Sequence, residues 1–190
     1  MLIGLTGRIS SGKGEIVEFL KKKGFQYLTL SQVIRDEAEK ISLPITRESL
    51  QDFGNLLRKY DGNSALIKRL IGKADFPNNT IIDGIRNTGE VEELRKMKDF
   101  VLISIDAPQK IRFERVLKRG KPSDPKKWDL FLKVDERDYG ENIDSGQQVG
   151  KCMKMADFHL VNDSSIENFH KKIEDVFKKI NKTKNNKQKC

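Results

Sequence analysis

The chain has 190 residues, 36% hydrophobic and 34% charged, with two cysteines and a formal net charge of +9. That length suits one domain with a core that needs no staples. The cysteine count excludes a disulfide scaffold, and no apolar run approaches the roughly 20 residues that span a bilayer. The first apolar run stops at Thr6 and Gly7 with no basic segment before it, so no signal peptide is expected. Cys152 and Cys190, far apart in the chain, lead us to expect a reduced, cytoplasmic setting. The segment 181–190 holds four lysines and no acid. A positive field of this kind suits phosphates, nucleotides or nucleic acid, and a generally lysine-rich composition produces it too.

In chain order, short apolar runs alternate with helical stretches. Runs at 2–5, 27–30, 80–83, 100–105 and 158–161 read as strands buried on both faces. Helical spacing covers 12–23, 32–41, 90–97, 109–119 and 165–180, where Ile166, Phe169, Ile173, Val176, Phe177 and Ile180 keep an i, i+3, i+4 pattern. Alternating strand and helix predicts an α/β fold with a parallel sheet. Two stretches interrupt the rhythm: 46–74 is helical in pattern, and 120–146 is polar, contains Pro122 and Pro125, and holds one helix near Trp128. We expect one domain over 1–180 and a disordered lysine-rich tail over 181–190.

The first strand runs into Gly7-Arg8-Ile9-Ser10-Ser11-Gly12-Lys13-Gly14, which matches G-x-x-x-x-G-K in the strand-to-helix context that the motif requires. Glycines let the backbone wrap a phosphate, the helix presents its positive end there, and Lys13 reaches the β- and γ-phosphates. A Ser or Thr hydroxyl usually follows the lysine and ligates Mg²⁺. Here Gly14 and Glu15 follow instead. The metal is therefore expected to rest on phosphate oxygens and water, with Asp83 at the end of an apolar strand holding it through a water.

Arginines sit where a phosphoryl acceptor would need them. Arg35 follows the second strand and Arg86 the third, at the carboxyl ends where open α/β sheets bind ligands. Arg115 and Arg119 share a helix face, extended by Arg112. Arg47, Arg58 and Arg137 read first as surface charges, with Arg58 kept as an acceptor contact. His159 and His170 have no partners at metal-ligand spacing, so no zinc site is expected. Cys152 reads as a core or helix-face residue, and Trp128 as packing for its helix.

Nearly the whole folded length resembles the P-loop nucleotide and dephospho-CoA kinases. Gly4-Leu5-Thr6-Gly7 through Lys13, Asp106-Ala107-Pro108, Arg115 to Arg119, and Ala156-Asp157-Phe158 through Ser164 resemble dephospho-CoA kinases. Gly12-Lys13-Gly14, Leu30-Ser31 with Arg35, and Asp83-Gly84-Ile85-Arg86 are similar to adenylate kinase segments. The Gly-Lys-Gly-Glu loop and the stretch 50–58 also resemble an uncharacterised group of dephospho-CoA-kinase-like ATPases, some fused to deaminases; this chain has no H-x-E and no C-x-x-C.

The resemblance implies a three-layer P-loop NTPase fold, sheet order 2-3-1-4-5, with 46–74 covering the acceptor and 120–146 as lid. It implies ATP as donor with Mg²⁺, bound by Gly7, Arg8, Ile9, Ser10, Ser11, Gly12, Lys13, Gly14, Glu15 and Arg115, with Asn162 and Asp163 near the adenine. Ser31, Arg35, Arg58 and Arg86 would hold the acceptor; Lys13, Asp83, Arg86 and Arg119 would carry catalysis.

A hydroxyl acceptor needs a base, and dephospho-CoA kinases carry an aspartate pair after the second strand. Here that stretch is Thr29-Leu30-Ser31-Gln32. A nucleoside or deoxynucleoside monophosphate is already an anion and needs arginines instead. Dephospho-CoA, with Asp36 or Asp52 as base, stays open, as does a regulatory nucleotide-binding ATPase. The chain shows no recognition helix or aromatic platform for nucleic acid. Expected partners are nucleotide substrates, with no specific nucleic acid and no membrane, and a monomer or weak homodimer.

Overall fold

A computed structural model describes residues 1–73, 79–121, 124–140 and 144–187. Five strands, β1 (Leu2–Gly7), β2 (Gln26–Thr29), β3 (Thr80–Asp83), β4 (Phe100–Asp106) and β5 (Phe158–Val161), form one sheet in the order β2-β3-β1-β4-β5. All pairings are parallel, with Leu2 of β1 opposite Thr80 of β3 and Phe100 of β4. This is the expected order. It sets the loop after β1 between the loops after β3 and β4.

Nine helices connect and cover the strands among the described residues: α1 (Lys13–Lys21), α2 (Leu30–Lys40), α3 (Arg47–Asp61), α4 (Ala65–Lys73), α5 (Thr88–Arg95), α6 (Gln109–Arg119), α7 (Trp128–Tyr139), α8 (Val149–Lys154) and α9 (Ile166–Lys187). The period-two geometry of the strands splits the core into two layers. Ile3, Leu5, Ile81, Ile103 and Ile105 point to one face and pack with Leu20, Phe169 and Ile173 of α1 and α9. Leu2, Ile82 and Leu102 point to the other and pack with Val33, Leu66, Leu94 and Cys152. A third cluster joins Ile9 and Val116 to Phe131, with Phe113 and Trp128 packed against them, and seats α7 on α6.

Local chemistry moves several predicted boundaries. Leu30 opens α2 instead of closing β2, because the Thr29 hydroxyl accepts from the Ser31 amide at 3.2 Å and caps the helix. Arg35 lies on α2, within the stretch expected to be helical. The stretch 46–73 forms α3 and α4, with Thr46 and Ser49 closing a capping box at the start of α3. Ala74, Pro122 and residues 188–190 lie outside the described residues. The short α8 had no clear periodicity to announce it.

The expectation of a disordered tail needs correction over 181–187; residues 188–190 lie outside the described residues. Helix α9 continues to Lys187. No glycine or proline occurs between Ile180 and Lys187 to stop it, and the Thr183 hydroxyl donates back to the Lys179 carbonyl at 3.0 Å. Among the described residues no helix is long and apolar enough to cross a membrane.

Glu90 is the polar anchor between α3 and the start of α5. It is fully buried and accepts from Arg58 Nε at 2.9 Å and from the amides of Arg86 and Asn87 at 2.8 and 3.1 Å. Removing it strands a buried guanidinium and two amides. We expect Glu90→Ala to cost about 3–5 kcal/mol in urea unfolding, several times the effect of an exposed-pair change such as Glu93→Ala.

Candidate active site

The loop between β1 and α1 sits at the carboxyl ends of the strands. Its shape depends on two glycines in positive-φ backbone. At Gly7, φ is 143° and a Cβ would overlap the Ile105 carbonyl oxygen. At Gly12, φ is 110° and a Cβ would overlap the Asn162 amide. Asn162, just past β5, donates to the Ser11 carbonyl at 3.1 Å and accepts from Arg115 Nη2 at 3.0 Å. Helix α1 then begins at Lys13, so its unpaired N–H groups converge on the loop.

Lys13 folds back along the loop, donating to the carbonyls of Gly7 and Arg8 at 2.8 and 2.9 Å. Burial lowers its pKa to about 8, against the opposing pull of the Asp83 charge. Asp83 accepts from the Gly84 amide at 2.7 Å and from the Tyr27 hydroxyl at 3.2 Å. Burial first, and then the Asp83 charge, push the Tyr27 phenol up to about 12, so it remains a donor. Gly14 has open space around it, so packing does not forbid a hydroxyl side chain there.

Two cavities meet at this point. One, of about 460 Å³, is lined by residues of the loop with Asp83, Arg115 and Asp138. The other, of about 290 Å³, is lined by Ser31, Ile34, Arg35, Ile45, Leu50, Gln51 and Gln147. Arg47, Arg86, Arg119 and Lys121 line both. The seam between the cavities is thus entirely cationic among its shared residues.

Helix α7 closes over this seam with carboxylates. Asp138 accepts from Arg47 Nη2 at 2.5 Å and lies 3.9 Å from Arg86 Nη1, which donates to Gln147 at 3.0 Å. Asp135, also buried, accepts from Arg112 through both oxygens at 2.5 and 2.8 Å and from Arg8 at 2.9 Å. The Arg8 guanidinium lies 3.7 Å over the Tyr139 ring. Arg119 pairs with Asp124 at 2.6 and 2.8 Å.

The structure therefore sorts the sequence-predicted residues. Gly7, Ile9, Ser10, Ser11, Gly12, Lys13, Gly14, Glu15, Asp83, Arg86, Arg115 and Arg119 line the loop cavity. Ser31, Arg35, Arg58, Arg86 and Arg119 line its neighbour. Three assignments change. The Arg58 guanidinium is committed to Glu90, so it serves as a wall and not as a free contact. The Arg8 side chain is held by Asp135 and Tyr139. The Asp163 carboxylate is taken by Lys172 at 2.8 Å, so of the Asn162-Asp163 pair only Asn162 engages the loop. Glu15 pairs with His170 at 3.0 Å.

Arg47, Gln51, Lys121, Asp138 and Gln147 escaped the sequence reading. The signal for Asp135 and Asp138 was present: they share the buried face of α7 with Phe131, where a carboxylate is unexpected. The expected bases fail, since Asp36 bonds Gln32 and Asp52 pairs with Arg137, and neither lines the two cavities.

Buried polar atoms are normally satisfied. Among the described residues four side-chain atoms are buried without a partner: Ser11 Oγ, Arg47 Nε, Gln51 Nε2 and Asp138 Oδ1. Ser11 and Asp138 line the loop cavity, Gln51 lines its neighbour, and Arg47 lines both. The deficit of hydrogen bonds is concentrated at the site.

Fold and loop together give a three-layer P-loop fold, the fold also seen in shikimate kinases. The shikimate kinase of Bacteroides thetaiotaomicron superposes with a TM-score of 0.60 at 14% identity, over 95% of this chain and 98% of that one. The shikimate kinase of Aquifex aeolicus gives 0.54 at 19%, over 96% and 98%. Residues 3–145 match the family model described as "AAA domain". The "UPF0200 protein" of Sulfurisphaera tokodaii is 36% identical over 94% of this chain and 97% of its own length. That of Pyrococcus horikoshii is 34% identical over 95% and 97%. The chain belongs to the UPF0200 family, and to the AAA domain family that its first 145 residues match.

The lowered Lys13 pKa gives a sign for stability. Between about 8 and 10.5 the unfolded chain binds the proton that the folded chain has lost, so stability rises with pH across that window. Relative to Lys13→Met, which has no such step, wild type should gain on the order of 2 kcal/mol from pH 7.5 to 10, read as the difference in urea midpoints.

Proposed function

We propose that the chain transfers the γ-phosphoryl group of ATP to a small phosphorylated acceptor, most consistently a nucleoside or deoxynucleoside monophosphate. The observation that carries this reading is the cationic seam. Arg47, Arg86, Arg119 and Lys121 face both cavities, so they can neutralise a phosphoryl group throughout its passage from one to the other. An acceptor bound only through a neutral hydroxyl would not call for such a lining.

The loop amides and Lys13 would hold the donor phosphates, and Lys13 would leave the carbonyls of Gly7 and Arg8 to do so. Asn162 and Arg115 brace the loop from the end of β5. The acceptor phosphate would displace carboxylates from Arg47 and Arg86. Among the described residues no group of three His, Cys, Asp or Glu could cage a metal. This fits Mg²⁺, which binds mainly through substrate phosphates and water with one or two carboxylates. Asp83 is the protein group placed to take part. Bound there, Mg²⁺ would offset charge on the transferring oxygens.

One observation favours a second reading, transfer to a hydroxyl as in dephospho-CoA. Asp138 lines the loop cavity with Oδ1 buried and unpartnered, where a general base would stand.

Turnover with Mg·ATP against AMP, CMP, GMP, UMP, the deoxynucleotides and dephospho-CoA separates these readings. We expect transfer to a monophosphate, abolished by Lys13→Ala. Asp138→Asn should keep kcat within about tenfold and lower the acceptor KM, because the competing carboxylate charge is gone. A hydroxyl acceptor with Asp138 as base would instead lose about 10²–10⁴ in kcat. ATP consumption with no acceptor labelled would overturn both in favour of a regulatory ATPase. In the same assay Gly14→Ser should fold normally and reach half-maximal rate at several-fold lower Mg²⁺, since it restores a hydroxyl ligand in open space.

A further inference from the structure

The acceptor cavity shares a cationic seam with the loop cavity. Of the residues it does not share, Ile34, Ile45 and Leu50 supply apolar walls, and Arg35, Gln51 and Gln147 are polar. Gln51 lies one helical turn beyond Arg47 on α3, so both project from the same face. It is more than nine-tenths buried, and its Nε2 has no hydrogen-bond partner. A buried amide left unpaired is costly unless a ligand completes it.

Apolar walls beside a carboxamide whose donor is unpaired suit a flat ring that carries a hydrogen-bonding edge; the other carboxamide of the cavity, Gln147, already accepts from Arg86. A carboxamide offers a donor beside an acceptor, the arrangement with which Gln reads the edge of adenine. A sugar phosphate has no flat face for Ile34, Ile45 and Leu50. A pantetheine chain has no ring edge to pair with both carboxamide atoms.

We propose that Gln51 is a specificity-determining residue, whose carboxamide hydrogen-bonds the edge of a planar nitrogen heterocycle while Arg47 and Arg86 hold that ligand's phosphate. The proposal rests on the monophosphate-acceptor reading and deepens it. The acceptor is then selected for bearing a nucleobase, not merely for bearing a phosphate.

The test compares AMP, CMP, GMP and UMP with ribose 5-phosphate as acceptors of the full-length protein, in wild type, Gln51→Leu and Gln51→Met. Wild type should prefer its best nucleoside monophosphate over ribose 5-phosphate by about 10³-fold or more in kcat/KM, because a site built around a hydrogen bond rejects an analogue that lacks it. Both variants should lower kcat/KM for that monophosphate by about 100-fold and leave ribose 5-phosphate within about threefold of wild type. The melting temperature of the empty protein should hold or rise, since both changes remove an unpaired buried donor.

Equal losses on both acceptors, or a marked drop in melting temperature, would make Gln51 a packing residue and overturn the inference alone. An unchanged preference in both variants would do the same. If wild type phosphorylates no monophosphate at all, the acceptor reading itself fails and this inference falls with it.

Discussion

The closeness with which the phosphate loop is pressed against the sheet governs the rest of the site. Gly7 leaves no room for a side chain beside the Ile105 carbonyl, and Gly12 none beside Asn162. The first is a backbone contact and the second meets the side chain that braces the loop, so the loop cannot relax without moving β4 or displacing the Asn162 carboxamide. This fixes where the N–H groups of α1 point, and it fixes Lys13, which the fold returns to the loop's own carbonyls. Preorganisation of this kind is useful for stabilising charge, because the dipoles need no rearrangement when charge arrives.

Above that fixed floor lies a covering helix held by ion pairs and by an aromatic cluster. Asp135 binds Arg112 and Arg8, and Asp138 binds Arg47. Buried ion pairs contribute little net stability, because desolvation offsets their attraction. Their worth here is in placement: they hold α7 in register over the loop while keeping its contacts exchangeable for other anions. The aromatic cluster of Phe113, Trp128 and Phe131 provides the non-exchangeable half of the attachment.

Much of this was legible in the sequence, for identifiable reasons. The loop reads clearly because its glycines, lysine and flanking strand are contiguous. The parallel sheet reads clearly because its strands are uniformly apolar, and the order 2-3-1-4-5 came from resemblance to known kinases. Leu30 was misplaced because a hydroxyl cap on Thr29 outweighed an apolar run. Arg58 was misread because its partner, Glu90, is 32 residues away. Arg47 and Asp138 were unreadable as a pair, being 91 residues apart on separate helices whose facing surfaces only the packed fold decides. Gln51 carries no sequence signature, since its importance comes from an unpaired atom that exists only once the cavity has formed.

The course of α9 separates two populations of positive charge. The helix starts beside the site, where Lys172 meets Asp163, and buries Ile180 near Met1 and Phe100 at the amino ends of the strands. The fourteen helical steps from Ile166 to Ile180 span roughly 21 Å, more than two screening lengths of about 8 Å at physiological salt. Screening over that distance leaves Lys182, exposed just beyond Ile180, with little weight in the potential at the cavities. It lies at the opposite pole of the sheet. A surface or macromolecule that captures the chain by this end would leave the mouth of the site turned toward solution.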